Sequence, residues 1–465
     1  MEKRFTIFYP GVYTEREKPL LDLFLSEIRE IEQRGPVSME DIRAGRVTDK
    51  TPGVYTQIIT DEMIRYNALK YDPFNPVYND ESYAVKLGYK SLPGLPTIAA
   101  HDDSFMRPFP RVGRDYMLVS GLNNEVRFYH PVYAGDTMYF IVEERHILDL
   151  TPAEGSRFRS FGIETAGSIR NQRGELVNTV VFRVVENLQA LTDPAHMKPA
   201  GEPDWIGPDW GSRPEHFYTD EDWEKILDIW AHEHRQGAEP LYWEDVPVGF
   251  RPADTLDGPV DDSVEPTYRL GMGNGGTRTL RREIEDPAFR STMYRSKING
   301  IYRMPNRADA WPQEPVMARK YGEEQGGGLR SVDLPQDQES PRFVFINFMG
   351  RDFALRHIHN FMGDHGRLVD IQWGIMSPAS LASRGYTVPA SPNAKDFLSV
   401  VPFKKDEVIT EHGLERDVMW VKSCVFDKYC ADGRHYVRLA FWIDTIEGQT
   451  FESGWATVEL PSRQA

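Results

Sequence analysis

Cysteine is almost absent from this sequence of 465 residues, which contains only Cys424 and Cys430. Two cysteines so close together in a strand-like segment do not form a disulfide framework, and no Cys/His spacing fits a zinc site. No segment approaches the roughly 20 apolar residues that a membrane span requires. The first residues, MEKRFTIFYPGVY, lack a hydrophobic run of signal-peptide length. We therefore expect a cytoplasmic protein with no membrane span and no metal.

Basic residues are the minority among the charges, with 54 Lys and Arg against 71 Asp and Glu and a net charge of −17. This balance disfavours nucleic acid and anionic membranes as main partners. The content of 40% hydrophobic, 12% aromatic and 27% charged residues is that of an ordinary globular protein. The length is sufficient for two or three domains.

Apolar periodicity predicts three helices that organise the chain. Residues 19–34 carry one apolar stripe and end at Gly35. Residues 219–237 begin at a capping pattern and stop at a glycine. A shorter helix from Thr60 ends before Pro73, because proline disfavours the helical conformation in the preceding residue.

A faint internal repeat divides the chain near residues 190 to 240. MEDIRAG at 39–45 is echoed by WEDVPVG at 243–249, and NQRGELVNTVVFRV at 171–184 is echoed by TIEGQTFESGWATVEL at 445–460. The sequence between these halves is rich in proline and glycine, as in a linker. The predicted parts are a helical extension (1–35), a first domain (36–190), a linker with a helix (191–240) and a second domain with insertions (241–465).

The segments that end the first half predict antiparallel strands. NNEVRFYHPVYAGDTMYFIVEERHI, SFGIETAGSIRN and ELVNTVVFRVVEN are dense in β-branched and aromatic residues and are separated by turns that contain glycine. Helices packed on such a meander make an α+β unit.

A loop rich in acids and amides follows the helix from Thr60. The stretch DPFNPVYNDESYAVKLGYKSLPGLPTIAAHD resembles the signature loop of the MaoC-like dehydratases, a hot-dog-fold family that includes the R-specific enoyl-CoA hydratases. FYHPVYAGDTMYF resembles a strand of that family, and MEDIRAG and WEDVPVG resemble its opening strand. HNFMGDHGRL and GWATVELPSR resemble the C-terminal repeat of tandem members.

This resemblance implies an α+β tandem hot-dog fold, with two antiparallel sheets that each wrap around a central helix. It also implies a lyase without a cofactor that adds water to an enoyl-CoA or removes it from a 3-hydroxyacyl-CoA. The signature departs from the family at its catalytic positions. Tyr78 replaces the histidine, Asp72 is displaced by one residue so that Pro73 takes the expected place, and His101-Asp102 replaces a His-Gly step.

The implied chemistry needs a carboxylate that takes a proton from water and an acid that protonates the α-carbon. The loop therefore predicts Asp72 as the base and either Tyr78 or His101 as the acid. A tyrosine acid would need a pKa well below the ordinary value of about 10. Asn75 and Asp80 are candidate substrate contacts, but such residues also cap turns and helices.

A second polar cluster lies in RDFALRHIHNFMG, the expected central helix of the second unit. Helical spacing places Arg356, His359 and Asn360 on one face and His357 elsewhere. Because His357 and His359 lie on different faces, this spacing does not suit a metal site. It favours a buried polar network or residues at the interface of the two halves, and the alternative is a contact of His359 and Asn360 with substrate.

Arginine is concentrated between residues 278 and 307, next to two glycine-rich stretches, GMGNGG and QGGG. The glycine patterns match neither a Walker nor a Rossmann motif and predict loops. Arg281 and Arg282 are candidates for binding the phosphates of a coenzyme A ester, although a solvated or ion-paired face also explains such a cluster.

Two other functions stay open beside the hydratase. The protein could bind an acyl-CoA or a partner subunit without catalysis, or it could be a thioesterase that uses one carboxylate. A hydratase predicts a tunnel that reaches Asp72, whereas a binding module predicts Asp72 and Tyr78 packed against protein. The paired sheets of a tandem chain are also compatible with a homodimer.

Overall fold

The computed structural model describes residues 18–99, 116–121, 123–150, 158–189, 213–260, 281–296, 299–303, 348–375, 382–383, 385, 413–414 and 416–464. The helices are α1 (Lys18–Arg34), α2 (Met39–Arg43), α3 (Asp61–Tyr71), α4 (Pro76–Asn79), α5 (Glu81–Lys86), α6 (Asp220–His232), α7 (Arg281–Glu285), α8 (Pro287–Arg290) and α9 (Phe348–Met362). Single 3₁₀ turns cover Pro96–Ala99 and Trp243–Asp245. No helix within these residues combines the length and the apolar run that crossing a bilayer requires.

The strands precede and follow α6 in two groups. The first group is β1 (Val54–Ile58), β2 (Tyr116–Gly121), β3 (Asn123–Phe128), β4 (Thr137–Asp149), β5 (Phe158–Asn171) and β6 (Leu176–Gln189). The second group is β7 (Thr255–Asp257), β8 (Tyr294–Arg295), β9 (Tyr302–Arg303), β10 (Arg367–Gly374), β11 (Met419–Ala431), β12 (Arg434–Asp444) and β13 (Thr450–Leu460). We call β1–β6 with α1–α5 the first unit, residues 213–240 the linker segment, and α9 with β7 and β10–β13 the second unit.

Local signals in the sequence set the helix ends. Thr60 caps α3 through its hydroxyl, which accepts from Met63 N at 3.1 Å. Thr219 and Asp222 form a capping box at the start of α6. Each of these motifs satisfies backbone N–H groups that the first turn of a helix leaves without an internal partner. The helices predicted from periodicity are therefore present.

Antiparallel pairing joins all but two of these strands into one sheet. Its order is β1-β4-β5-β6-β3-β10-β13-β12-β11-β7, and β2 also pairs with β6, whereas β8 and β9 form a separate ribbon. The two units meet where β3 pairs with β10, with Val126 opposite Ile371. In this pairing the edge strand of each unit forms backbone hydrogen bonds with the edge strand of the other, so neither edge is left unpaired at the junction.

Helix α9 is the central helix of the second unit. Every residue from 351 to 363 is buried, and α9 contacts β7 and all four strands from β10 to β13. Phe353, Leu355 and Ile358 are fully enclosed. A helix that is buried on all sides belongs inside a core, and each such side chain stabilises the fold by about 1.5–3 kcal/mol.

The units also meet through helices, because α3 of the first unit packs on α9. Tyr71 meets Phe353 edge to face, with ring centroids 6.1 Å apart. Together with the continuous sheet, this contact fixes the end of α3 against the middle of α9. The chain therefore has a double hot-dog fold of the α+β class.

Two details differ from the sequence predictions. MEDIRAG and WEDVPVG form the helical turns α2 and Trp243–Asp245 instead of strands, so that expectation is wrong. For α2 the reason is a capping box in which Asp41 N donates to Ser38 Oγ at 3.1 Å. Helix α6 ends at His232, earlier than Gly237, because the backbone of Glu233 leaves the helical region with φ −59° and ψ 123°.

Candidate active site

The signature loop connects α3 to α4 and is held by its own polar groups. Asp72 follows α3 directly, and its backbone N–H donates to Ala68 O at 2.8 Å. Pro73 then stops the helix, as its effect on the preceding residue predicts. Asn75 caps α4, because its Oδ1 accepts from Val77 N at 3.1 Å. The loop is therefore a fixed turn with Asp72 at its start.

The carboxylate of Asp72 receives hydrogen bonds from both units. Asn75 Nδ2 donates to Asp72 Oδ2 at 2.8 Å, and Nδ1 of His359 on α9 lies 2.8 Å from the same oxygen. Since an ionised carboxylate only accepts, Nδ1 of His359 is the donor of this bond whenever Asp72 is ionised. The side chains of Asp72 and His359 are each 1% exposed. Within the described part of the chain, no group donates to Asp72 Oδ1.

Tyr78 takes the position of the signature histidine and stacks on His359. Their ring centroids are 5.1 Å apart with planes inclined by 30°. The Tyr78 hydroxyl lies 3.5 Å from Nε2 of His359, which is long for a hydrogen bond. Burial first, and then the neighbouring Tyr89 and Asp72, raise the pKa of Tyr78 well above its ordinary value. Tyr78 therefore stays protonated and lacks the lowered pKa that a tyrosine acid needs.

The linker segment supplies Arg235, which joins the loop to the end of α9. Arg235 Nη2 donates to Asn75 Oδ1 at 3.0 Å and also pairs with Asp364, just beyond α9. Tyr83 on α5 donates its hydroxyl to the other oxygen of Asp364. Three parts of the chain therefore meet beside the Asp72 carboxylate.

Glu233, at the end of α6, is the centre of a buried ionic cluster. It pairs with Arg356 at 3.5 Å and Arg281 at 2.5 Å, and it accepts from Asn360 Nδ2 at 2.8 Å. Arg356 also pairs with Asp257 at 3.1 Å. Burial alone would raise the pKa of Glu233, but Arg356 and Arg281 bring it below its ordinary value. The cluster fixes the linker segment against the turn of α9 that carries His359.

The sequence predicts substrate contacts for Asp80 and Arg281, whereas the structure gives both of them protein partners. Asp80 is an exposed cap of α5 that accepts from Ser82 N at 2.9 Å. Arg281 is buried and uses its other donors on Glu285 at 2.9 Å and Trp230 O at 3.3 Å. Among the described residues Asn360 is likewise engaged, by the Glu233 cluster. The substrate contacts of Asp80, Arg281 and Asn360 stay predictions.

Several predicted features lie outside the described residues. His101 is among them, as are both glycine-rich stretches and the side chain of Arg282. The roles predicted for these residues remain predictions.

Sequence reasoning missed that His359 is the partner of Asp72. It also missed Arg235 and Glu233, which lie in a linker where no motif marks them. The available signal was the polar face shared by Arg356, His359 and Asn360, which indicated a buried polar network or an interface between the halves but none of the partner residues.

The fold and the site together define a class, a double hot-dog protein with a buried carboxylate–histidine pair between its units. Residues 46–180 match the family model of the FAS1-like dehydratase domain region. This match spans the signature loop, so the resemblance to dehydratases is confirmed for the first unit. It supports a hydratase or dehydratase function in general terms. No curated protein matches the sequence.

Three solved structures illustrate the similarity of fold. A putative MaoC domain protein dehydratase from Chloroflexus aurantiacus J-10-fl is 13% identical with a TM-score of 0.41, over 88% of this chain and 93% of that one. A conserved hypothetical protein from Mycobacterium tuberculosis, described as a double hot-dog fold, is 10% identical with a TM-score of 0.39, over 92% and 98%. An R-hydratase from Pseudomonas aeruginosa is 21% identical with a TM-score of 0.21, over 28% and 76%. Such similarity carries no argument about substrate or mechanism.

Proposed function

We propose that this protein is a hydro-lyase that adds water to an enoyl thioester or removes it from a 3-hydroxyacyl thioester, with coenzyme A as the carrier. The observation that carries the proposal is the buried contact between Asp72 and His359 at 2.8 Å. A carboxylate paired with an imidazole provides one proton acceptor and one proton donor in the same place, which is what the addition of water to a polarised double bond requires.

Asp72 is the base in this mechanism. Its Oδ2 is occupied by Asn75 and His359, which fix the plane of the carboxylate. Oδ1 can then accept a proton from water while the water oxygen bonds to the β-carbon of the enoyl thioester. Fixing the base in this way removes a reorientation that the reaction would otherwise require.

His359 is the acid, in the role that the sequence predicts for Tyr78 or His101. The protonated imidazole gives a proton from Nε2 to the α-carbon as the new C–O bond forms. A proton then moves from Asp72 to His359 through water, which restores the starting pair. Dehydration follows the same steps in reverse.

The test is to incubate the protein with a panel of enoyl and 3-hydroxyacyl-CoA esters and to measure the mass change of one water. Asp72→Asn should lower the rate by about 10²–10⁴-fold, because the amide cannot take the proton. Asp80→Asn is the matched control, since Asp80 is an exposed acid of the same loop that caps α5. Full activity of Asp72→Asn with an intact fold would overturn the proposal.

Packing around the loop favours a second candidate, an acyl-CoA-binding protein without catalysis. Asp72 is 1% exposed and Tyr78 is 7% exposed, and Tyr78 belongs to the main hydrophobic core. In that case the esters would bind with unchanged mass, and Asp72→Asn would keep their affinity. Release of free thiol from the same esters would instead identify a thioesterase.

A further inference from the structure

We propose that Arg235 of the linker segment is a positioning residue, which orients the Asn75 amide and through it the Asp72–His359 pair. The proposal rests on the proposed function for its kinetic consequences. Its structural content concerns one chain of hydrogen bonds, from Arg235 to Asn75, from Asn75 to Asp72, and from His359 to Asp72.

The orientation of the Asn75 amide follows from its donors. Asn75 Oδ1 accepts from Val77 N at 3.1 Å and from Arg235 Nη2 at 3.0 Å. Two donors at this oxygen oblige Nδ2 to face the other way, towards Asp72 Oδ2 at 2.8 Å. If the amide turned over, its NH₂ group would face two donors and its oxygen would face a carboxylate.

Of the two hydrogen bonds that Asn75 Oδ1 accepts, the one from Arg235 is the stronger because its donor is charged. A hydrogen bond from an ionised donor is roughly twice as strong as one between neutral groups such as Val77 N–H and the amide. The ion pair with Asp364 holds the guanidinium in place, and the carboxylate of Asp364 is only 2% exposed. Asp364 is itself held by the hydroxyl of Tyr83.

The backbone beside Arg235 is docked on the turn of α9 that carries His359. Gln236 N donates to Asn360 O at 2.8 Å, and Asp364 N donates to Gly237 O at 2.9 Å. The linker segment is therefore connected indirectly to both members of the pair, to His359 through the end of α9 and to Asp72 through Asn75. A segment that only connected the two units would not need to bond to the end of α9 or to Asn75.

The first experiment separates kcat from KM. Arg235→Met should lower kcat by about 10–100-fold and change KM little, because misplacement of a base by less than 1 Å affects chemistry more than binding. Arg235→Lys should recover much of the rate, since its ammonium can still reach Asn75 and Asp364. Arg213→Met is the matched control, because Arg213 also ties the linker segment to a distant part of the chain, through Asp417 just before β11.

A double-mutant cycle tests whether Arg235 acts through Asn75. If it does, Arg235→Met should add little to the loss of kcat in a protein that already carries Asn75→Ser, because Asn75→Ser has already removed the bond between the two residues. Independent, multiplied losses would overturn the proposal and leave Arg235 as a structural ion pair.

A measurement without substrate distinguishes failure of this proposal from failure of the proposed function. Nitrogen-15 NMR of the histidine rings reports the protonation of Nδ1 and Nε2 of His359, assigned with His359→Asn. Arg235→Met should shift the titration of His359, whereas Arg213→Met should not. An unchanged titration would overturn the positioning role even in an active enzyme, and a shift would support it even if no ester is turned over.

Discussion

Nδ1 of His359 lies 2.8 Å from Oδ2 of Asp72, although 287 positions separate the two residues in the chain. One belongs to the first unit and the other to the central helix of the second. The pair therefore exists only when the units are packed through β3–β10 and α3–α9. It is the feature from which the predictions about activity follow.

Replacement of His359 should remove most activity while keeping the fold. His359→Asn retains an amide donor near the position of Nδ1 but has no group that titrates, so kcat/KM should fall by about 10²–10⁴-fold. The melting temperature should change by a few degrees, since one buried hydrogen bond is worth about 1 kcal/mol. His365→Asn is the control, because His365 is exposed and bonds only to a backbone oxygen among the described residues. Equal activity of both variants would contradict the role of His359.

Removal of the Tyr78 hydroxyl should have a small effect. The raised pKa of Tyr78 keeps the phenol neutral, and its contact with His359 Nε2 is long at 3.5 Å. Tyr78→Phe should therefore lower kcat by less than about tenfold, with the ring stack preserved, because it removes a weak contact and no proton donor. A loss as large as that of His359→Asn, measured in the same assay, would restore Tyr78 as the acid.

Stability should fall in mild acid because of His357. Burial, and then the charge of Arg356 against the opposing effect of Glu233, lower the pKa of His357 from 6.5 to about 4. As the pH falls below 6.5, the unfolded chain takes up this proton and the folded protein does not. The contribution of His357 to the free energy of unfolding should therefore decrease by about 2 kcal/mol between pH 7 and pH 5, and further towards pH 4.

Urea unfolding at both pH values measures this effect, with His357→Gln as the comparison. The variant can still bond to Ser423 Oγ, which lies 2.6 Å from Nε2 in the native protein, but it does not titrate. The difference in the free energy of unfolding between the native protein and His357→Gln should shrink as the pH falls, or reverse. Parallel pH dependence of the native protein and the variant would show that His357 is not responsible.

Loss of Arg356 should destabilise the protein far more than loss of an exposed arginine. Arg356 and Asp257 are both 2% exposed, so Arg356→Met leaves two buried acids, Asp257 and Glu233, without this partner. The expected cost is about 3–5 kcal/mol. Arg367→Met removes an ion pair to Glu459 in which the arginine is 45% exposed, and it should cost less than about 1 kcal/mol. Urea unfolding of both variants checks the difference, and similar losses would mean that the buried cluster is not held by charge.

Local elements could be predicted from the sequence because their causes lie within a few residues. Thr60 caps the start of α3 and Pro73 stops it, and a capping box of Thr219 and Asp222 marks the start of α6. The antiparallel strands follow from β-branched residues between turns that contain glycine. Even the polar face of α9 is visible as helical spacing. The signature loop was likewise recognisable, and with it the kind of chemistry to expect.

What each polar group does was decided only by the tertiary structure. In the sequence alone, an acidic residue that caps a helix cannot be told from one that lies in a buried site. Packing leaves Asp80 exposed on α5 and buries Asp72 against α9. Burial also raises the pKa of Tyr78, the opposite of what its place in the motif requires. Local sequence signals predicted most of the helices and strands and one half of the proposed site. The other half, His359, was decided by the packing of α3 on α9, because a pairing over 287 positions depends on the summed contacts of two units rather than on any local preference.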